Sequence, residues 1–333
     1  MDVVLTAGQP RLPVDRGELS AALLAAFREA GQLPDTELAD RADPYGDDLQ
    51  LALYLCYELH YRSFEGVDDG WEWDPELLRL RAVMERQFFT ALRAEAPPSD
   101  DVESALAPLL VDPVDGHGVS YFLKDHGELW QLREYAAQRS VYHLKEADPH
   151  LWVIPRLTGQ AKASMMAVEF DELGGGHAER MHATLFANLM ADLGLDPAYG
   201  GYVDAASAEM LATANVMSMF ALHRSLRGAL VGHFAALEIT SSPSSRRIVQ
   251  AMERLGAGPD AVRFYAEHVE ADAVHEQVAR HGIIGGLLAA EPELAADVVF
   301  GISATQFLGG RLADQLIGAW SADRTSLRVP LRA

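Results

Sequence analysis

The chain has 333 residues, of which 49% are apolar, so it can bury a sizeable core, and disorder through low hydrophobicity is excluded. Its formal net charge is −22, from 27 basic and 49 acidic residues. A surface this acidic repels phosphate groups, which argues against nucleic acid or an anionic membrane as a partner. Cys56 is the only cysteine, which excludes an intramolecular disulfide and any cysteine-based zinc or iron–sulfur site.

The N-terminal sequence lacks a basic segment followed by an apolar run, and no stretch of 18 apolar residues occurs. Neither a signal peptide nor a membrane span is therefore expected, and the protein is predicted to be cytoplasmic. Any metal that it binds must take its ligands from His, Asp and Glu. That donor set favours iron, manganese or zinc.

Apolar residues at helical spacing dominate the chain, and strand signals are almost absent. Residues 1–18 predict a loose arm, residues 112–118 predict a loop, and the tail after Asp323 is expected to pack as an extended segment. Helices are predicted at Leu19 to Ala30 and at residues 47–63, 74–95, 100–110, 127–147, 158–173, 178–193, 204–224, 226–239, 243–254, 258–281 and 291–319.

The predicted fold class is all-α, with a bundle of about seven core helices. A boundary near residue 120 separates an N-terminal helical accessory region, residues 1–120, from the main domain, residues 121–325. The accessory region is expected to mediate a homodimer, because its Leu- and Tyr-rich helix needs an apolar partner surface. Glu58 and His60 lie two residues apart in that helix, on nearly opposite faces, and are interpreted as structural.

The strongest local signal for chemistry lies in the segment from Phe264 to His275. His268, Asp272 and His275 follow the spacing i, i+4, i+7, which places them on one helix face within an arc of roughly 60°. Three such groups on one face can reach a metal ion inside a bundle. The alternative is a solvated polar face, since further glutamates lie nearby.

Two other acidic residues are predicted to lie where a negative charge is energetically unfavourable. Glu238 ends an apolar run, where a carboxylate is expensive to bury unless it is paired or bound to a metal. His233, roughly 140° away around the same helix, is interpreted as a partly buried polar residue rather than a second ligand. Glu146 lies near a predicted helix C-terminus, where the dipole disfavours negative charge unless a cation compensates.

The segment from Glu169 to His182 is acidic and contains three consecutive glycines. Each glycine costs a helix about 1 kcal/mol relative to alanine. The glycines allow the chain to pass close to another backbone, or to unwind beside a site. The alternative is an ordinary helix–turn–helix in which the acidic residues serve as caps.

Together these segments resemble the haem-oxygenase-like diiron oxygenases, which are iron-containing redox enzymes. The resemblance covers roughly residues 130–320. It depends on the joint order and spacing of Lys145-Glu-Ala-Asp-Pro-His150, Ile154-Pro-Arg-Leu-x-Gly-x-x-Lys162, Glu169-x-Asp-Glu-x-Gly-Gly-Gly176, Met181-His182, Glu238 and His268-x-x-x-Asp272-x-x-His275.

The resemblance implies a haem-oxygenase-like bundle that binds two iron ions and uses O2 as co-substrate, with a small-molecule substrate and an external electron donor. Carried over residue by residue, it implies seven metal ligands: Glu146, Glu172, His182, Glu238, His268, Asp272 and His275. Four carboxylates and three neutral imidazoles balance the charge of two Fe2+ ions, and both ligand types suit iron.

Glu172 resembles the additional carboxylate of the branch that oxidises nitrogen, whereas members that cleave or desaturate carbon chains have six ligands. The first interpretation is therefore an N-oxygenase in specialised metabolism, acting on a small amine, amino acid or guanidine-like nitrogen, with Glu172 as its catalytic residue. One alternative is oxidative C–C cleavage or desaturation of an amino or fatty acid. The second alternative is a metal-free helical binding module.

Overall fold

The computed structural model describes residues 8–29 and 31–331, and these ranges contain no β-strand. Residues 1–7 of the predicted arm, and Ala30 at the end of the first predicted helix, lie outside the described residues. The N-terminal part contains α1 (Glu18–Glu29), α2 (Thr36–Asp40), α3 (Asp47–Glu58), α4 (Pro75–Glu95), α5 (Val102–Leu106) and α6 (Val119–Asp125).

The rest of the chain forms a helical bundle. Its helices are α7 (Leu129–His143), α8 (Asp148–Leu151), α9 (Gly159–Glu172), α10 (His182–Asp192), α11 (Ala208–Leu222), α12 (Arg227–Leu255), α13 (Pro259–Gln277), α14 (Gly285–Ala290) and α15 (Ala295–Trp320). Seven of these are long, and α12 packs against both α13 and α15, while α13 also packs against α10. The prediction of an all-α bundle of about seven core helices is confirmed.

The long helix α12 corrects one prediction, because residues 226–239 and 243–254 belong to a single helix that includes Pro243. Proline removes a backbone donor and normally breaks or kinks a helix. Here side chains just before it make other hydrogen bonds: Thr240 Oγ1 donates to the carbonyl of Ala236, and Ser242 Oγ donates to the carbonyl of Val269 on α13. Packing against α13 and α15 keeps α12 continuous.

Two glycines allow α12 and α15 to cross at very close range. A Cβ atom on Gly232 would collide with the backbone carbonyl of Val298, and one on Gly301 would collide with the carbonyl of Ala229. Both positions therefore require glycine, since the contact is between backbones that cannot easily move apart. This crossing fixes the position of the α12 segment that leads to Glu238.

Helix α13 passes directly into a π-helical segment, Val278–Ile284, which begins three residues after His275. Such segments are rare and occur frequently at functional sites, because the wider turn shifts the side chains that precede and follow it. The segment packs against α9, the helix that ends at Glu172. It therefore joins the two helices that present His275 and Glu172.

Helix α3, which was predicted to need a partner surface, is shorter than predicted and packs against α1, α4 and α11 of its own chain. Its residue Glu58 is fully buried and accepts hydrogen bonds from Lys145 Nζ at 2.9 Å and from the hydroxyl of Tyr199 at 2.6 Å. The apolar face of α3 is thus covered without a second copy of the chain.

Replacing Glu58 by Gln is expected to lower the free energy of unfolding, on the order of 3 kcal/mol, because the buried ammonium of Lys145 loses its charged partner. Replacing His60 by Ala removes its contacts with Glu72 and Arg81 and is expected to destabilise the protein by less. Iron content should stay at the wild-type level in both variants. Urea denaturation and metal analysis measure the two quantities. A loss of iron equal to that of His268→Ala would contradict the structural interpretation.

Candidate metal centre

The seven residues proposed as ligands come together inside the bundle in two neighbouring groups. In each group, one potential ligand atom per residue lies within 4.8 Å of those of the others. All seven residues are at most 9% exposed. The first group consists of Glu146, His182 and His268, and the second of Glu172, Glu238, Asp272 and His275.

The predicted helix face on α13 supplies residues to both groups. His268 belongs to the first group, whereas Asp272 and His275, one and two turns further along, belong to the second. The three side chains therefore share a face, as their spacing predicts, but they extend along two adjacent sites rather than around a single point. The spacing alone did not reveal this division.

Glu172 lies between the two groups. Its Oε2 atom is 2.5 Å from Nδ1 of His182 in the first group, and its Oε1 atom is 3.5 Å from Nδ1 of His275 in the second. With one oxygen near each group, Glu172 would be able to contact an ion held at either of them. Among the seven residues, Glu172 is thus placed to connect the two groups.

The glycine segment brings Glu172 and His182 together. Glu172 is the last residue of α9 and His182 the first of α10, and the three glycines between them all have positive φ angles. A Cβ atom on Gly174 would lie 2.7 Å from the backbone nitrogen of Met181. Both roles predicted for these glycines are observed: the chain leaves helical geometry beside the candidate ligands, and one backbone passes close to another.

His275 is surrounded by carboxylates. Its Nδ1 atom lies 3.2 Å from Glu238 Oε2 and 3.5 Å from Asp272 Oδ1, and its Nε2 atom lies 3.3 Å from Asp171 Oδ2. When the Nε2–H group donates to Asp171, Nδ1 presents a lone pair toward the second group. A carboxylate behind an imidazole in this way fixes its tautomer and ring orientation.

Glu146 is held by residues that the sequence interpretation did not assign to the site. Nδ1 of His143 lies 2.8 Å from Glu146 Oε2, and Arg139 Nε donates to His143 Nε2 at 3.1 Å. Because arginine only donates, His143 accepts at Nε2 and donates from Nδ1 to Glu146. Arg139, His143 and Glu146 follow the same i, i+4, i+7 spacing as the α13 motif. That spacing is the sequence signal by which Arg139 and His143 could have been found.

Three buried polar atoms in the two groups have no hydrogen-bond partner within the described residues: His182 Nδ1, His268 Nε2 and Asp272 Oδ2. The short contact between His182 and Glu172 does not have hydrogen-bond geometry. His268 Nδ1 lies 2.8 Å from the carbonyl of Phe264. When Nδ1 carries the proton and donates it to this carbonyl, Nε2 presents an unpaired lone pair to the first group. Buried lone pairs are costly unless a donor or a cation satisfies them. The residues present therefore fit a pair of metal ions.

Burial changes the proton affinity of the candidate ligands. It raises the pKa of Glu146 and Glu172 and raises the pKa of Glu238 to about 8. Burial acts to lower the pKa of His275, but hydrogen bonds to Asp272 and Glu238 outweigh it and raise that pKa to about 11. Without a cation the second group therefore retains protons near neutral pH.

Metal binding must displace these protons, so Fe2+ affinity is expected to rise with pH between 6 and 8, by about tenfold per pH unit for each proton released. The sign follows from the raised pKa values of Glu238 and His275, both of which hold protons that compete with the ion. Anaerobic Fe2+ titration at several pH values measures the affinity, and a weakly buffered titration measures the released protons. Affinity that is constant over this range would contradict the expected competition.

Glu169 is a buried acid next to the site that was not assigned as a ligand. It is fully buried, neither of its carboxyl oxygens has a hydrogen-bond partner among the described residues, and Nδ1 of His150 is 3.9 Å away. Burial, followed by the charge of Glu172, raises its pKa well above the usual range. Burial therefore favours the neutral acid over the carboxylate at Glu169.

A cavity of about 200 Å3 adjoins the two groups between α7, α12 and α13. Five of the seven candidate ligands form one wall, and the remaining walls contain Tyr135, Arg139, Tyr142, His143, Leu237, Thr240, Ser241, Ser244, Ser245, Ile248, Phe264 and Tyr265. A second cavity, of about 400 Å3 and mainly apolar, shares Arg139, Leu237 and Thr240 with the first. Substrate-sized space therefore exists beside the candidate metal centre.

Comparison with known families agrees with this geometry. The model of the iron-containing redox enzyme family matches residues 133–310, which is more than half of the chain and includes both ligand groups. The chain belongs to this family. It is an iron oxidoreductase with the haem-oxygenase-like helical fold. No curated protein gives a significant match to the chain.

None of the helices in the described residues is both long enough and apolar enough to cross a lipid bilayer.

Proposed function

We propose that the protein is a diiron oxygenase that uses O2 to oxygenate the nitrogen of a small amine, amino acid or guanidine. The observation that carries the proposal is the position of Glu172 between two buried ligand groups, beside a cavity of about 200 Å3. Family membership supports the iron chemistry, and the additional carboxylate supports oxygen transfer to nitrogen.

Each group supplies the donors for one ion. Glu146, His182 and His268 would hold the first ion, the other four residues would hold the second, and Glu172 contacts both groups. When bound, two ferrous ions would supply electrons and a binding site for O2. His143 orients Glu146, and Asp171 orients His275, so that both ligands keep their direction when the substrate enters.

The proposed reaction converts an amine, O2, two protons and two electrons into a hydroxylamine and water. An N–O bond forms, the O–O bond breaks, the nitrogen is oxidised by two electrons, and the second oxygen atom leaves as water. An external electron donor supplies the two electrons that each turnover consumes. The amine must be neutral to react through its lone pair, and its partial desolvation in the cavity would lower its pKa.

Oxidative C–C cleavage or desaturation of an amino or fatty acid is the second candidate function. The mainly apolar cavity of about 400 Å3 favours it, because that cavity could hold an aliphatic chain beside the same residues. A metal-free binding module is disfavoured by three buried ligand atoms that have no hydrogen-bond partner in the described part of the chain.

A homodimer formed through the N-terminal region stays a prediction.

The test is an assay with ferrous iron, a chemical reductant and 18O-labelled O2 against a panel of amino acids, amines and guanidines. Mass spectrometry should find one 18O atom on the nitrogen of the best substrate. Release of formaldehyde, ammonia or an alkene without oxygen on nitrogen would reject N-oxygenation and favour C–C cleavage or desaturation.

A further inference from the structure

We propose that Arg139 binds the carboxylate of the substrate at the junction of the two cavities, so that the substrate is a small carboxylic acid. This inference deepens the proposed function, because it uses the same active site. It depends on the position of one cationic side chain whose terminal nitrogens make no hydrogen bond to the residues that the structure describes.

Arg139 lines both the cavity at the metal ligands and the apolar cavity. Within the described residues, the one hydrogen bond of its guanidinium runs from Nε to His143. Nη1 and Nη2, which form the end of the guanidinium fork, make no hydrogen bond to the described chain. A planar pair of N–H donors of this kind matches the two oxygens of a carboxylate.

The charge of Arg139 is not neutralised by a direct ion pair. No carboxylate of the described residues lies within 4 Å of its guanidinium, although it stands near the carboxylates of the metal site. Burial acts to lower its pKa, but electrostatic interactions, among them one with the carboxylate of Glu146, outweigh it, and an arginine side chain stays charged. A partly buried cation without a paired anion is costly, and a bound carboxylate would relieve that cost.

The hydrogen bond through Nε also fixes where a bound carboxylate must lie. Arg139 holds His143, and His143 holds Glu146, so the free end of the guanidinium has a set position relative to the first ligand group. When the substrate carboxylate is bound at Arg139, the rest of the substrate can extend in one of two directions. An amino acid would extend through the polar cavity toward the ligands, and an aliphatic acid would place its chain in the apolar cavity.

The experiment is calorimetric titration of the metal-loaded protein under anaerobic conditions. The probes are the twenty proteinogenic amino acids and the straight-chain acids from butanoate to decanoate. Each amino acid is compared with the amine that lacks the carboxylate, and each straight-chain acid with the corresponding primary alcohol. At least one acid should bind tenfold or more tightly than its counterpart, by a charge-assisted bidentate contact. If no acid binds more tightly than its counterpart, the proposal is overturned without any variant.

Variants locate the contact. Arg139→Met should weaken binding of the best acid by about a hundredfold and should not weaken binding of the counterpart that lacks the carboxylate, whereas Arg139→Lys should recover part of the affinity. Arg133→Met, on the same helix, is the matched control, because Arg133 reaches the carbonyl of Gly194 and does not line either cavity. Metal content is measured for each protein, and wild-type affinity for the acid in metal-replete Arg139→Met would overturn the proposal.

The outcomes separate this inference from the proposed function. Arg139-dependent binding of a straight-chain acid, without oxygenation of any nitrogen, retains the anchor and rejects N-oxygenation. Oxygenation of an amine that has no carboxylate, with the same KM in wild type and Arg139→Met, retains N-oxygenation and rejects the anchor. Tightest binding of an amino acid, lost in Arg139→Met, supports both.

Discussion

Protein reconstituted with Fe2+ in the absence of O2 is expected to retain about two iron ions per chain, one for each ligand group. His268→Ala removes a donor from the first group, and His275→Ala removes one from the second. Each variant should retain less than about half of the wild-type iron, because the two groups share Glu172 and the loss of one ion weakens the other site. Metal analysis after desalting measures the iron content.

His281→Ala is the matched control for these variants, because His281 is exposed on the π-helical segment that follows α13 and belongs to neither group. Its iron content should equal that of the wild type. A wild-type protein that retains no iron after ferrous loading would reject the diiron proposal as a whole. Full retention of iron in both His268→Ala and His275→Ala would show that the site lies elsewhere.

The second large effect is expected for Glu172→Ala, which should retain some iron but lose oxygen transfer to nitrogen by about a hundredfold or more. Glu172 contacts both groups and adds a negative charge that stabilises the oxidised ions, while three residues remain in each group to bind metal. Labelled product and bound iron are measured on the same protein samples, so that loss of chemistry is separated from loss of metal.

Glu179→Ala is the control, because Glu179 is an exposed acid in the segment between α9 and α10. It should behave like the wild type. If Glu172 were only a capping or surface acid, Glu172→Ala would also behave like the wild type. Equal product formation in the two variants would therefore remove Glu172 from the proposed mechanism.

Helical periodicity explains why much of the fold was predictable. The long helices of the bundle have apolar faces and clear end signals, and α13 presents His268, Asp272 and His275 on one face as their spacing requires. Pro243 misled the prediction of α12, because local propensity favours a break and only the packing of neighbouring helices keeps the helix continuous. Part of the cover over α3 likewise comes from α11, which is distant from it in sequence.

The site was predictable only in part. The seven candidate ligands were chosen through resemblance, and the structure places them together, but their metal-binding role stays a proposal. The division into two groups, and the position of Glu172 between them, depend on the meeting of α9, α10, α12 and α13. Arg139 and His143 were missed because an arginine or a histidine on a helix has many ordinary roles. Their spacing to Glu146 is a weak signal, and the cavity is what distinguishes these two residues.

The ligand groups also join parts of the chain that are far apart in sequence. Glu146 and His268 belong to one group, and Glu172 and His275 to the other. An ion held at each group would therefore act as a cross-link that closes a loop of more than a hundred residues. In the unfolded chain such a closure carries an entropic cost that rises with the logarithm of loop length, so the ions would bind the folded bundle and scarcely the unfolded chain. The same ions that support the chemistry would then fasten four separate helices into a single cooperative unit.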